Sequence, residues 1–512
     1  MNSSTPSTKA PSRLYSVRFA RWLARLVWNR RTGWTLVCLI SLITVLWQWE
    51  NWRSARELAA VHRRMVQRLG TDDPMALMPP KVPDEENYFA NPLFESWLHV
   101  KQPGTLNLRY VPPQNALLPK NFIRPTILRS RDGEIERLHM HTWIKKRGGQ
   151  ETEPAAMVLA RELGDGNGLL PKLAEGLTKP FSIIKPSHRE ALEAVGDNPW
   201  QASLPDFLGL DDFQRQLGLH LRSAALVGDA AKTISTALIM LRISEGMARG
   251  GIVGCLVPLA AHGITFDALD EALSHPAWTA ESLGRLQVRL GQFDDLQQYQ
   301  SAHGQEILGI FFQLAYLREH YHLLQDLISG RSADSPFWER KTEGILSFVM
   351  LNGPIGWHDA TVAFYADCML EQLGPPCPEA WLTAGARAEV VLRRSKAENS
   401  WPNPRRILGA IAIPQIGNIA QAAAETLFHR RCIIIACTLE KHRMKHGFFP
   451  SSLDVVKDDL RLFQVTDPAR PTQPVGYRLE TNGYLLWSAG PDAKDDGGAK
   501  DKDWLWRMKR EP

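Results

Sequence analysis

From Gly33 to Trp49 the chain runs 17 residues without a charge, and arginines crowd both sides of that run. At about 1.5 Å per residue it approaches the roughly 30 Å of a hydrocarbon core. The pattern therefore predicts one transmembrane helix over 33–49, with Trp47 and Trp49 at its aqueous boundary. Beyond it Ala55, Leu58, Ala59, His62, Met65 and Val66 recur at helical spacing, which predicts a helical stalk over 50–70 closed by Gly70 and Pro74. Residues 71–150 carry Pro79, Pro80, Pro83, Pro92, Pro103, Pro112, Pro113, Pro119 and Pro125, and that density excludes long helices. Within this stretch Glu134 to Lys145 alternates like a strand through Ile135, Leu138, Met140 and Trp143, so the region is expected to be a Pro-rich connector with short strands.

Over 151–405 the apolar positions fall into steps of three and four. Leu210, Phe213, Leu217, Leu221 and Ala224 draw one stripe, and Gly228-Asp229 breaks it. Ile234, Leu238 and Leu241 begin a second, and Ile307, Phe311, Leu314, Tyr321, Leu324 and Ile328 make a third. Helices joined by short turns pack as a bundle or a solenoid, and no fixed repeat period chooses between them. The apolar run Ile252 to Ala261 is too short to span a membrane and contains Pro258, so it reads as a buried helix. The last region, 406–512, begins with a helix over Ile416 to His446 that ends in Lys445-His446-Gly447, where cations and a glycine favour termination.

Composition adds a topology. Apolar residues make up 44% and charged residues 22%, which suits a globular protein and excludes wholesale disorder. The net charge is +5, yet residues 1–32 alone hold seven Lys and Arg and no acid. The basic character is thus local, and no nucleic-acid partner is expected. Such a flank holds the N-terminus in the cytoplasm and sends 50–512 to the other side, which implies an inner-membrane protein with its bulk outside the cytoplasm. Residues 1–32 then form a basic cytoplasmic tail, either loose or as an interfacial helix with Arg18, Arg21 and Arg25 on one face. Trp47-Gln48-Trp49-Glu50 offers no small-residue cleavage site, so an anchor is favoured over a removed signal. Of six cysteines, Cys368 and Cys377 flank a Gly-Pro-Pro turn and could pair; buried free thiols are the simpler expectation.

Candidate chemistry is sparse. His139-Met140-His141 would place two imidazoles on one strand face as a metal pair, without a third ligand in register. His320 and His322 lie about 200° apart on a helix and cannot chelate together. His358-Asp359 could be an acid–base pair in a hydrolase, but adjacent helical residues do not face each other. The chain contains no G-x-S-x-G, H-E-x-x-H, P-loop or dinucleotide fingerprint.

The C-terminus is richer. After the helix come Phe448-Phe449-Pro450, Asp467-Pro468, two strand-like pieces around Asn482-Gly483, and a loop from Gly490 to Trp504 bearing Asp492, Asp495, Asp496, Asp501 and Asp503. Carboxylates at this density among glycines suit a hard cation, and calcium is the expected cofactor. A degenerate EF-hand over Asp492 to Asp503 is one alternative, with Lys494 at a ligand position; a solvated acidic turn is another.

These residues resemble the C-terminal half of the major pseudopilins of type II secretion systems. That family runs a long helix into a G-x-[FY]-P element, a D-P turn, a short antiparallel sheet and an S-x-G-x-D…GG…D-x-D…W loop. Ser488, Gly490, Asp492, Gly497, Gly498, Asp501, Asp503 and Trp504 or Trp506 match that loop in order. The resemblance implies calcium held by Asp492 and one of Asp501 or Asp503, with Asp495 and Asp496 as extra acids. It departs at the anchor, where Cys38 stands in place of the family's glutamate. The whole layout, including Pro79 to Asn87, also resembles an uncharacterised group of bacterial membrane-anchored proteins. The expected fold is mainly α: a transmembrane helix, a multi-helix body and a small α+β pseudopilin-like module. The expected role is a non-enzymatic envelope protein that binds other proteins, with a membrane-tethered hydrolase as the alternative.

Overall fold

The computed structural model describes residues 30–95, 97, 99–100, 117–119, 121–128, 137–146, 154–196, 205–206, 208–247, 251–293, 295–320, 353–375, 380–398, 405–406, 413, 417–463 and 465–510. Fourteen α-helices lie among them: α1 Arg30–Leu69, α2 Met140–Lys146, α3 Ala155–Leu163, α4 Leu169–Glu175, α5 His188–Val195, α6 Leu208–Leu226, α7 Ala230–Gly246, α8 Gly251–Leu273, α9 Ala280–Gly291, α10 Asp295–Glu319, α11 Gly356–Leu373, α12 Ala380–Glu398, α13 Gly417–His446 and α14 Lys457–Arg461. The strands are short: β1 His99–Val100, β2 Thr126–Leu128, β3 Arg137–His139, β4 Pro205–Asp206, β5 Thr466–Asp467, β6 Arg470–Pro474, β7 Gly476–Glu480, β8 Gly483–Ser488 and β9 Trp504–Lys509. The protein is therefore mainly helical with small antiparallel sheets.

The apolar stripes land where their periods place them. Leu210, Phe213, Leu217, Leu221 and Ala224 are all buried along α6, and Asp229 accepts from Lys232 N to start α7 after the Gly228 break. Tyr321, Leu324 and Ile328 of the third stripe lie outside the described residues. The run at Ile252 belongs to a longer helix, α8, which keeps Pro258 in its interior and reaches Leu273.

Two large cores share α13. Its first half, with Ala420, Ala423 and Ala424, packs with α1, α10, α11 and α12. Its second half, from Phe428 to Leu439, packs with α6 to α9 and with Tyr484, Leu486, Trp506 and Met508 of the C-terminal sheet. Because consecutive positions Cys432 to Cys437 are all buried, the middle of α13 is apolar right round, as a helical segment enclosed by neighbours must be. Helices far apart in sequence pair, α1 with α11 and α9 with α13, so the body is a bundle about α13 and not a stack of nearest neighbours.

The helix that begins in the apolar run does not end with it. α1 continues unbroken through Leu69, and its character changes at residue 50. Trp34, Leu36, Val37, Leu39, Ile40, Leu42, Ile43, Val45 and Leu46 are exposed, as a lipid-facing helix requires. From Glu50 onward, the segment expected as a stalk lies against α11. Ser54, Val61 and Met65 are 0%, 4% and 0% exposed. Gly356 N donates to Asn51 Oδ1 at 2.8 Å, and Arg68 Nη2 donates to the Gly374 carbonyl at 2.6 Å, so α1 and α11 run parallel. A Cβ at Gly356 would lie 2.7 Å from Asn51 Cα, which shows how closely the two backbones approach. Glu50 pairs with Arg405, Glu57 with Arg405 at 2.9 Å and Arg406 at 3.3 Å, and Arg64 with Asp367 at 2.9 Å.

The described part of the connector is not extended either. Residues 74–94 form four short 3-10 turns, and Tyr88, Phe89, Phe94 and Trp97 insert into the main core. Asn87, fully buried, fixes this wrap by accepting from Ile183 N at 2.8 Å and donating to Ile183 O at 2.7 Å. The predicted strand over Glu134 to Lys145 is corrected: β3 covers Arg137–His139, and α2 starts at Met140. Trp143 Nε1 donates to the Ile123 carbonyl at 2.6 Å, a contact with the β2 side of the hairpin that periodicity does not reveal.

Candidate functional site

The C-terminal module is built on the end of α13. Gly447, at φ +86°, closes the helix behind Arg443, Lys445 and His446. Phe449 then packs edge-on to Tyr484 at 5.0 Å, and Tyr477 OH donates to the Pro450 carbonyl at 2.6 Å, so the Phe-Phe-Pro element is seated on the sheet. Strands β7, β8 and β9 form an antiparallel meander. Glu480 pairs with Gly483, which makes Thr481-Asn482 the hairpin turn and Gly483 the first residue of β8. A Cβ there would collide with the Met508 carbonyl of β9.

Asp467, of the Asp-Pro turn, is 0% exposed and organises the module. Its carboxylate accepts from Ala469 N at 2.9 Å, Arg470 Nε at 3.2 Å, Ala489 N at 3.1 Å and Ser488 Oγ. Arg470 extends the network by donating to Asp495 at 2.9 Å, and Trp487 Nε1 donates to the other Asp495 oxygen at 2.9 Å. Asp495 is consequently held below the ordinary carboxylate range, first by the Trp487 hydrogen bond and then by Gly497 N and Arg470.

The five acids of the loop do not play one role. Asp503 turns inward and accepts from Gly498 N at 2.7 Å and Ala499 N at 2.9 Å, which closes the glycine turn. Asp496 pairs with Lys502 at 3.2 Å. Asp492 accepts from Lys494 N at 3.1 Å, and Asp501 is exposed at φ +68°. Among the described residues, no group of three or more His, Cys, Asp or Glu converges as a metal set. Calcium on Asp495 or Asp496 would have to displace Arg470 or Lys502, whereas Asp492, Asp501 and Asp503, the ligands the resemblance implies, are paired with neither cation. At Asp495 and Asp496 calcium and the ion pairs are alternatives.

The histidine candidates separate. His139 Nδ1 meets Thr142 Oγ1, and the side chain of His141 lies outside the described residues. His320 stacks on Tyr316 at 3.9 Å, and His322 is not described. His358 is buried in α11, and its Nδ1 meets no hydrogen-bond partner among the described residues. Asp359 turns to Arg318 at 3.2 Å, so the two do not form an acid–base pair. Burial, helped by Arg318, pushes His358 down to about 4 from an ordinary 6.5. The folded imidazole thus stays neutral while the unfolded one protonates. Its contribution to stability is intact above pH 6.5 and is lost as pH falls toward 4. Urea unfolding of His358→Gln should accordingly lose less stability than the parent chain between those pH values; parallel curves would refute it.

Cys255, Cys368, Cys432 and Cys437 are buried free thiols, whereas Cys377 is not described. Burial pushes Cys368 up to about 11 even with Arg394 3.1 Å from its sulfur, which makes it a poor nucleophile.

One cleft was not legible in the sequence. A cavity of about 530 Å³ between the β2–β3 hairpin, α6 and α8 is lined by Arg124, Arg215, Arg222, Asp267 and an apolar wall of Ile127, Leu219 and Ile264. Arg222 pairs with Glu271 at 2.8 Å, both buried, and Glu271 also accepts from Leu138 N at 2.9 Å. Burial raises the Glu271 carboxyl against the pull of Arg222. The pair ties the hairpin to α8, and each arginine spends donors on an acid neighbour: Arg124 on Asp212, Arg215 on Asp211. No family model, no curated protein and no solved structure matches this chain.

Proposed function

We propose that this chain is a membrane-anchored scaffold that presents a helical body and a C-terminal module to protein partners at a fixed pose. The observation that carries the reading is α1, one continuous helix that is exposed and apolar over 33–49 and structural from Glu50 to Leu69. An anchor that only tethers would need no such docking. The basic flank before the span supports a cytoplasmic N-terminus, with residues 50–512 on the opposite side of an inner membrane. The helix, Phe-Phe-Pro element, Asp-Pro turn and meander follow each other in the pseudopilin order, which supports a link to a secretion or pilus-like machine. Phe448 and Leu462 are 64% and 80% exposed on this module and offer apolar contacts to a partner. Replacing Phe448 with a photo-crosslinking phenylalanine in cells should give discrete adducts, and protease added to spheroplasts with an intact inner membrane should shave off the body. A body protected from that protease, or a crosslinker that yields no adduct, defeats the scaffold.

A further inference from the structure

The docking of α1 sets a distance that has consequences for the bilayer. The uncharged run of 17 residues ends at Trp49, and α11 meets α1 at Asn51, where Gly356 N bonds its side chain. Two residues along a helix advance about 3 Å. The headgroup layer on each side is roughly 5–7.5 Å deep, half the difference between a bilayer of about 40–45 Å and its core of about 30 Å. The start of α11 therefore falls inside the headgroup layer once the span is inserted, with no linker to lift it away. Ile355, next to Gly356, is 47% exposed at this level.

The outward face of α1 fits the same layer. Trp49, Trp52, Arg53 and Arg56 follow the i, i+3, i+4, i+7 spacing of one helical stripe, turned away from the stripe of Glu50, Ser54, Glu57, Val61 and Met65 that docks into the body. Arg53 stacks over Trp49 with its guanidinium carbon 5.4 Å from the ring centroid, and Arg56 over Trp52 at 4.6 Å. All four side chains are exposed. Among the described residues, the acids one turn of α1 from Arg53, Glu50 and Glu57, are turned inward to Arg405 and Arg406. The outward stripe is left with two cations and two indoles. Arg53 and Arg56 stand about 6 and 10 Å beyond Trp49 along the axis, at phosphate depth and just past it.

We propose that Trp49, Trp52, Arg53, Arg56 and Ile355 form a collar that binds the phosphate groups of anionic lipids and seats the body directly on the bilayer surface. Indoles lie at the interface with their rings across the apolar boundary, and guanidiniums bidentately hold phosphate. The Glu50–Arg405 pair, at the edge of the hydrocarbon, removes the charge that would otherwise oppose this seating. The collar rests on the reading of α1 as a span, and the two fail differently.

The test uses the full chain carrying Cys38→Ser and Cys377→Ser, with a single thiol introduced by Ile355→Cys or by Leu462→Cys. Leu462 is the distal reference. Its neighbour Phe463 packs on Gly291 near the start of α10, and Arg318 at the other end of α10 pairs with Asp359 beside Gly356. Each protein is placed in phosphatidylcholine vesicles with or without phosphatidylglycerol, and the rate of modification by a membrane-impermeant maleimide is measured. We expect position 355 to react at least ten-fold more slowly than 462 in the anionic vesicles, and Arg53→Gln with Arg56→Gln to remove most of that difference. Equal rates at 355 and 462 in carbonate-resistant protein overturn the collar and leave the span intact. Protection that persists in detergent identifies a protein occupant and overturns it too, and protection indifferent to phosphatidylglycerol and to both substitutions overturns the anionic selectivity. Release of the protein by carbonate overturns the span itself.

Discussion

A chain lacking residues 1–49 is expected to fold, and one lacking residues 1–69 is expected to lose the fold of its membrane-proximal core. Among the described residues, the first cut removes a segment whose large apolar side chains, from Trp34 to Trp49, are exposed. The second removes the Val61 and Met65 side chains from the core shared by α10, α11, α12 and the start of α13, and with them the stack of His62 on Phe311 at 5.3 Å. Burial of two such side chains stabilises by about 1.5–3 kcal/mol each. The deletion also takes Arg64 from Asp367, which keeps Arg394, takes Glu50 and Glu57 from Arg405 and Arg406, and opens the surface of α11 along its whole length. Against a typical total of about 5–15 kcal/mol, the combined loss is enough to unfold that core. Circular dichroism melts and limited trypsinolysis of the two truncated proteins decide it. Matching melting temperatures would show that residues 50–69 are a dispensable stalk.

That expectation also marks where sequence reasoning stops. The run from Gly33 and the stripe of α6 are local signals, because lipid or a core face imposes its period on neighbouring residues. The end of α13 at Gly447 is local as well, since the unpaired carbonyls of a helix terminus are satisfied within a turn. The partnership of α1 with α11 spans about 300 residues of chain, and nothing in the composition of 50–69 distinguishes a helix in solvent from one docked along a single stripe. Asn87 is a similar case: its bonds to Ile183 turn a proline-rich stretch into a wrap over the core, and an asparagine among acids announces no such partner. The acidic loop misleads for the opposite reason. Its five aspartates are close in sequence, but the groups that decide their roles are Arg470, Trp487, Lys502 and five loop amides, and the first two lie on strands β6 and β8.

Replacing Asp467 with alanine should cost far more than replacing Asp495 of that loop. The Asp467 carboxylate is fully buried and satisfies four donors, and the residues that carry three of them, Ala469, Ser488 and Ala489, are themselves buried. With the carboxylate gone those donors have no acceptor and no water, at about 1–3 kcal/mol for each group left unsatisfied. Arg470 loses its inner partner as well and keeps Asp495. A loss of about 3–5 kcal/mol is expected for Asp467→Ala, in line with the breaking of a buried charged pair. Asp495→Ala, by contrast, removes a partly exposed ion pair and the hydrogen bonds of Trp487 and Gly497, whose donors can turn to water, and should cost about 1–2 kcal/mol. Melts of both variants, repeated with calcium and with chelator, read two properties at once. A parent chain stabilised by calcium, with the increment lost in Asp495→Ala, assigns the loop to the cation. A parent melt that ignores both additions assigns Asp495 to Arg470 and Trp487. If Asp467→Ala melts with Asp495→Ala, the module is not organised around the Asp-Pro turn.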